Sequence, residues 1–296
     1  MAPRRKPVVV GVDGSATALR AVRWAALRAR RDGQPLRIVH AYDLPHGIPA
    51  GVTEEESILA VRRREGRRWL GEARDLVGVV APGLTLESEL AAMPTTTGLL
   101  RESASASVLV LGNRARGPLA DLLAGSTSLA LASHAHCPVV LVGDRDGADG
   151  SPVTGPVVVG VDGTPAGEAA VEFAFAEAAA ENATLVALHA YTESVFEAAL
   201  AGNNTPLDWT LQRQIADRTL AERLAGWQEK YPQVRVEREA VHDRPTRALR
   251  RCAQTARLMV VGRTGRGGLR DVVLGSTSHH LLHHATCPVA VVRAFE

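Results

Sequence analysis

Apolar positions along this chain follow two rhythms. Short unbroken runs such as Val8 to Val12, Val108 to Leu111 and Val139 to Val142 have no polar face, as expected of strands buried on both sides. Between them, alanine, leucine and valine recur at three- and four-residue intervals, as in Ala16 to Arg31, which predicts amphipathic helices. In the first half this reading gives strands at Val8–Val12, Leu36–Ala41, Leu84–Leu90, Val108–Leu111 and Val139–Val142. Helices fill the gaps: Ala16–Arg31, a long polar one from about Thr53 to Val80, one before Val108, and one starting at Ser126. The second half reads the same way. Its strands are Val157–Val161, Thr184–Ala190, Val234–Ala240, Leu258–Val261 and Val289–Val292, with helices at Ala166–Glu181 and Leu207–Lys230 and one starting at Ser276. Strands alternating with helices predict an α/β fold, a parallel sheet with helices on both faces. In such sheets ligands bind outside the carboxyl ends of the strands, where strand order reverses.

The two halves are copies. Val8-Val9-Val10-Gly11-Val12-Asp13-Gly14 recurs letter for letter from Val157 to Gly163, and His40-Ala41-Tyr42 recurs as His189-Ala190-Tyr191 at the same offset. Gly125-Ser126-Thr127-Ser128 returns as Gly275 to Ser278, and Cys137-Pro138-Val139 as Cys287-Pro288-Val289, both one residue further on. A period this long means duplicated domains rather than a solenoid. Gly143 to Gly155, rich in glycine and aspartate and without apolar periodicity, reads as the linker between domains at 1–145 and 154–296.

Composition narrows the function. With 34 basic against 32 acidic residues and 4% aromatics, the chain lacks both the field and the stacking surface of a nucleic-acid binder. No apolar stretch reaches the roughly 20 residues of a membrane span. Cys137, Cys252 and Cys287 form no close pair and no metal spacing. A cytoplasmic protein is expected.

The candidate chemistry lies where a strand ends and a helix begins. Gly262-Arg263-Thr264-Gly265 is separated by nine residues from Gly275-Ser276, with Thr277 and Ser278 following. Glycines let backbone amides approach a phosphate, and the first amides of a helix point outward along the positive end of its dipole. Hydroxyls add donors. This is a phosphate cradle without a lysine: the chain holds only Lys6 and Lys230, neither behind a glycine-rich loop, so a P-loop is excluded. Gly11-Val12-Asp13-Gly14 also lacks the three spaced glycines of the dinucleotide fingerprint.

Gly, two residues, Gly, nine residues, Gly and then Ser or Thr resembles the signature of ATP-binding universal stress proteins. An aspartate closing the first strand and a Cys-Pro-Val entering the last complete the resemblance, which covers nearly the whole chain. It implies two tandem Rossmann-like domains, each a five-stranded parallel sheet, binding ATP and Mg²⁺ in a stress-response or signalling role. Residue by residue, the resemblance places Asp13 and Asp162 on the ribose and metal side. Their turns, Gly11-Val12-Asp13-Gly14-Ser15 and Gly160-Val161-Asp162-Gly163-Thr164, lie with them. The strand ends at Ala41 and Ala190 meet adenine. Gly262, Arg263, Thr264, Gly265 and Gly275 to Ser278 hold phosphates in the second half. In the first half Gly112, Arg114, Ala115, Gly125, Ser126, Thr127 and Ser128 stand in those places. Ala115 departs from the pattern, because it replaces the second glycine.

Other readings are open. Asp13 and Asp162 are also good helix-capping residues. A slow ATPase and a dimerisation module with empty clefts are the rival functions; no general base, arginine finger or catalytic lysine is evident for the first. The apolar last strands, Val139–Val142 and Val289–Val292, are expected to pair within the chain, with homodimerisation in addition. His279, His280, His283 and His284 form two i, i+4 pairs, a spacing that can bind zinc. No third ligand is evident, and imidazolium is favoured near a helix C-terminus. Arg62-Arg63-Arg64 with Arg67-Arg68 reads as a solvated helix face, and Cys252, beside Arg250 and Arg251, as a thiol whose pKa could fall.

Overall fold

The computed structural model describes residues 5–43, 53–113, 125–143, 154–192, 209–264 and 274–294. The chain divides into two compact units, Met1–Gly150 and Ser151–Glu296. In the first, β1 (Val8–Gly11), β2 (Leu36–Tyr42), β3 (Leu86–Ala92), β4 (Val108–Gly112) and β5 (Val139–Val142) alternate with α1 (Ala16–Asp32), α2 (Thr53–Val80), α3 (Thr95–Ser103) and α4 (Ser126–His134). The second holds β6 (Val157–Gly160), β7 (Leu185–Tyr191), β8 (Val236–His242), β9 (Leu258–Gly262) and β10 (Val289–Val292). Its helices are α5 (Glu168–Ala180), α6 (Trp209–Lys230), α7 (Pro245–Cys252) and α8 (Ser276–His284).

Within the first unit the strands run parallel in the order β3-β2-β1-β4-β5; within the second, β8-β7-β6-β9-β10. Each order reverses between the first strand and the fourth, at β1–β4 and β6–β9. Every residue of β1 and β5 is buried, which is why these strands carry no polar position. The third strands begin and end two residues later than the apolar pattern suggests. Register decides this: Leu36 pairs Leu86 and Tyr42 pairs Ala92, so the ladder to β2 carries β3 beyond Leu90.

In the first unit α1 and α2 pack together on one face of the sheet and α3 and α4 on the other. Helix α1 buries Ala18, Ala21, Val22, Ala25, Ala26 and Ala29, a stripe at helical spacing. Ser15 starts it, its Oγ accepting from the Ala18 amide at 3.2 Å. Gly33, at φ 62°, ends it by donating to the carbonyls of Ala29 and Arg30. Asn182, at φ 47°, follows α5 in the same left-handed role; its short amide tolerates that region better than other side chains.

Candidate functional site

Both reversal points are built from the turn after the first strand. In the first unit Val12 donates its amide to the Val39 carbonyl at 2.9 Å, which holds the chain beside β2 for one more residue. Gly14 follows at φ 78° and Gly163 at φ 80°, a region open to glycine at little cost. The aspartates between are held by this turn. Asp13 Oδ1 accepts from the Ser15 amide at 3.0 Å, and Asp162 Oδ1 accepts from both the amide and the hydroxyl of Thr164 at 2.8 Å. The capping alternative for Asp13 is corrected: Ser15 caps α1, and Asp13 shapes the turn ahead of it.

A histidine braces each turn from beneath. Nδ1 of His40 donates to the Val12 carbonyl at 2.7 Å, and Nδ1 of His189 to the Val161 carbonyl at 2.6 Å. Both rings are buried, and the carbonyl partners fix the tautomer with the proton on Nδ1.

The two halves cover this turn differently. In the first, the Trp69 indole lies so close over Gly14 that a Cβ there would meet Nε1 at 2.2 Å. Trp69 in turn stands edge-on to His40, ring centres 4.9 Å apart. In the second, Arg223 Nη2 donates to the Gly163 carbonyl at 2.7 Å. Neither residue was singled out in the sequence, because each sits on the long polar helix, far from any glycine motif.

At the end of β2, a cleft of about 600 Å³ is lined by His40, Ala41, Tyr42, Asp43, Trp69 and Thr95, among others. That volume suits a small organic ligand. The Ala41 carbonyl accepts from the Thr95 hydroxyl at 3.1 Å. Pro245 opens α7 where Thr95 opens α3, so the second half carries no hydroxyl at the position equivalent to Thr95.

The fourth strands end in Gly112 and Gly262. A Cβ on Gly112 would lie 2.6 to 2.8 Å from backbone atoms of Thr17 and Ala18, the first turn of α1. In the second half the first helix is preceded by a 3₁₀ turn, Pro165–Gly167, and a Cβ on Gly262 would stand 3.8 Å from the Gly167 Cα. A Cβ on Gly167 would itself stand 2.9 Å from Asp162 Oδ1. Glycine thus brings strand end, aspartate and helix start together.

Beyond β9 the loop is pinched at its base. The Gly275 amide donates to the Arg263 carbonyl at 2.8 Å, and the Arg263 amide donates to the Val292 carbonyl at 2.8 Å. This sets the first amides of α8, at Ser276, Thr277 and Ser278, beside the end of β9; no intrahelical carbonyl lies behind them. Ser278 is buried, and its hydroxyl donates to the Gly262 carbonyl at 2.6 Å. Its role is therefore to tie helix to strand, since its one proton is already used. The equivalent Ser128 is buried too. Ser126 and Ser276, at the helix starts, are exposed. Burial, and then the charge of Arg293, push the Arg263 guanidinium below its ordinary pKa. An anion beside these two cations would relieve that. Arg293 escaped the sequence reading because it lies at the far end of the chain. Arg114, Ala115 and Gly265 lie outside the described residues.

The remaining candidates divide. Arg62 to Arg64, Arg67 and Arg68 are exposed, as a solvated face should be. Burial pushes the Cys137 thiol up to about 12. The Cys252 thiol is also raised, by burial first and then by Glu239, against the opposing Arg251, so its arginine neighbours do not lower it. On α8, burial and then neighbouring charges lower the pKa of His280 and His283, so these two rings favour the neutral form rather than the imidazolium expected near a helix C-terminus. Among the described residues, no group of three or more His, Cys, Asp or Glu side chains could hold a metal ion, and no helix is long and apolar enough to cross a membrane.

Comparison with known proteins agrees with the duplication. The universal stress protein family matches residues 4–143 and again 154–293. A universal stress protein of Mycobacterium tuberculosis is 38% identical over 289 residues, covering 97% of this chain and 96% of that protein. One of Mycolicibacterium smegmatis is 38% identical over 293 residues, covering 97% and 96%. The crystal structure of a universal stress protein from Archaeoglobus fulgidus shares the fold, with a TM-score of 0.70 at 16% identity, covering 98% of this chain and 97% of that one.

Proposed function

The chain belongs to the universal stress protein family, and from that premise we propose that each half binds an adenine nucleotide, ATP with Mg²⁺, as a regulatory ligand. The observation that carries this reading is the pinched loop base of the second half. The Gly275–Arg263 bond sets the first helix amides and the partly buried Arg263 at the end of β9, and the Asp162 turn follows the neighbouring strand β6 at the same reversal. Triphosphate would lie over the start of α8, held by the amides of Ser276 and Thr277 and by Arg263. The adenine would lie toward the end of the second strand, at Ala190 or, in the first half, in the cleft at Ala41. Both aspartates are oriented by their turns and suit a hard cation. With no cage of three protein ligands among the described residues, Mg²⁺ would travel with the phosphates, as it commonly does.

Regulation is favoured over hydrolysis by what the site contains. Lys230 lies on α6, 3.3 Å from Glu172 and over the Trp227 ring, so it belongs to the helix surface. Arginines can hold phosphate charge without moving a proton, since they stay protonated. A homodimer in the cytoplasm belongs to the same proposal, and sedimentation of the full chain reads the assembly.

The first test is nucleotide release from purified protein on denaturation, followed by ATP titration with and without Mg²⁺. Asp162→Ala is expected to weaken Mg·ATP binding in the second half about fivefold, or ~1 kcal/mol, and to affect Mg²⁺-free ATP less. Equal loss with and without the metal would remove the aspartate from the metal side. Turnover of bound ATP at rates well above the uncatalysed reaction would favour the slow ATPase instead.

A further inference from the structure

Four histidines crowd two turns of α8, and the nucleotide reading uses none of them. The duplicated scaffold shows that the fold does not require them. In the first half Leu129, Ala130, Ser133 and His134 stand where His279, His280, His283 and His284 do. Three of the four are therefore particular to the second half. Helix α8 buries Ser278, Leu281 and Leu282. His279 and His284 are exposed and His280 and His283 half-buried, in two rows beside that stripe.

The rings of each i, i+4 pair lie against one another. His279 and His283 have ring centres 4.6 Å apart and interplanar angle 41°; His280 and His284, 4.4 Å and 45°. A cation bound to imidazole nitrogen at about 2.1 Å lies about 3.2 Å from the ring centre. Two rings at right angles about such a cation would have centres about 4.5 Å apart, and two at the tetrahedral angle about 5.2 Å. Both observed separations leave each pair close enough for one ion to take both rings as cis ligands, the arrangement of square-planar and octahedral ions. We propose that α8 binds divalent transition cations of the Cu²⁺ and Ni²⁺ type through these two imidazole pairs, His279–His283 and His280–His284, with water completing each coordination shell. Arg250 bears on His280 from α7 and opposes a cation there. Occupation of one pair weakens the other by charge repulsion.

The test is calorimetric titration of the full-length, tag-free, chelator-stripped chain with Ni²⁺ and with Cu²⁺. Alanine at all four positions keeps Leu281 and Leu282 and favours the helix, so far-UV circular dichroism should not change. Its affinity for either ion is expected to fall at least about tenfold. His280→Ala with His284→Ala should leave one site, at His279–His283, and His279→Ala with His283→Ala the other. In the first half, His134 Nδ1 donates to the Ala130 carbonyl at 3.0 Å, which leaves Nε2 for a ligand bond. Ala130→His should therefore add one equivalent. Wild-type binding by the four-alanine chain would place the metal elsewhere and overturn the inference, as would no gain from Ala130→His. Nucleotide titration reads a different site, so failure here leaves the proposed function standing.

Discussion

Gly112→Ala is expected to destabilise the first half by about 3 kcal/mol, whereas Gly262→Ala should cost the second half under about 1 kcal/mol. The two glycines close equivalent strands in duplicated domains, so composition gives no reason for a difference. The neighbours do. A Cβ on Gly112 would meet the Thr17 carbonyl carbon at 2.6 Å, the Ala18 amide nitrogen at 2.7 Å and the Thr17 carbonyl oxygen at 2.8 Å. These are backbone atoms of a helix start that Ser15 caps and the sheet holds beneath, so they cannot rotate away as a side chain could. Relief requires α1 to shift from β4, and overpacking of this kind costs between about 1 and 3 kcal/mol. Among the described residues, a Cβ on Gly262 would find the Thr264 carbonyl oxygen at 3.3 Å and the Gly167 Cα at 3.8 Å. Thermal unfolding of the full chain, followed by far-UV circular dichroism, checks this. In a domain of this size 3 kcal/mol moves the midpoint by about 10 °C. Equal shifts for the two variants would show that α1 yields to the methyl and that the close packing is not a constraint.

This difference was invisible in the sequence, and the reason is physical. Apolar runs report burial, and burial on both faces is what a central parallel strand experiences. The runs at Val8, Val108, Val139 and their copies therefore located the strands, and Ser126 and Ser276 open helices as the glycine-serine pattern suggested. The more exposed β3 and β8 carry a weaker signal, and there the register with the neighbouring strand overrode the local pattern by two residues. The candidate site's turns were legible because their geometry is local. Asp13, Gly14, Asp162 and Gly163 lie in the turn that holds them, and their glycines take the positive φ that only glycine adopts readily. What comes from elsewhere in the chain was not legible. Trp69 and Arg223 reach the turns from the long helices, and Thr95 reaches the Ala41 carbonyl from the third. Aligning the halves would have exposed one of them, since Pro245 faces Thr95 across the repeat. Ser278 illustrates the opposite error: its position in the motif suggested a phosphate donor, while its burial beside Gly262 makes it a brace.

The second half is expected to bind Mg·ATP about tenfold more tightly than the first. Ala115 stands in the first half where Gly265 stands in the second, each three residues beyond the glycine that ends the fourth strand. Both lie outside the described residues, so the expectation rests on spacing and stereochemistry. A second glycine at this point lets the backbone take positive φ and bring its amides onto the phosphates. Alanine in that conformation costs about 1 kcal/mol or more, and its methyl takes up room the phosphate oxygens need. A penalty of about 1.4 kcal/mol confined to the bound form is a tenfold loss of affinity. The frames around the two sites also differ. The Thr95 hydroxyl engages the Ala41 carbonyl in the first half, and Arg223 adds a cation over the turn in the second. These contributions survive exchange of the loop residue, which is what makes the exchange informative. Calorimetric titration of the full chain should resolve a tight and a weak site. Ala115→Gly should tighten the weak site and leave the tight one alone; Gly265→Ala should weaken the tight one about tenfold. The chain carrying both changes should keep two unequal sites with the first half now the stronger, which an Asp13→Ala background identifies by suppressing that half. Wild-type sites of equal affinity, or an Ala115→Gly chain with no gain, would mean that the loop accommodates the methyl without strain. The missing glycine would then carry no functional difference between the halves.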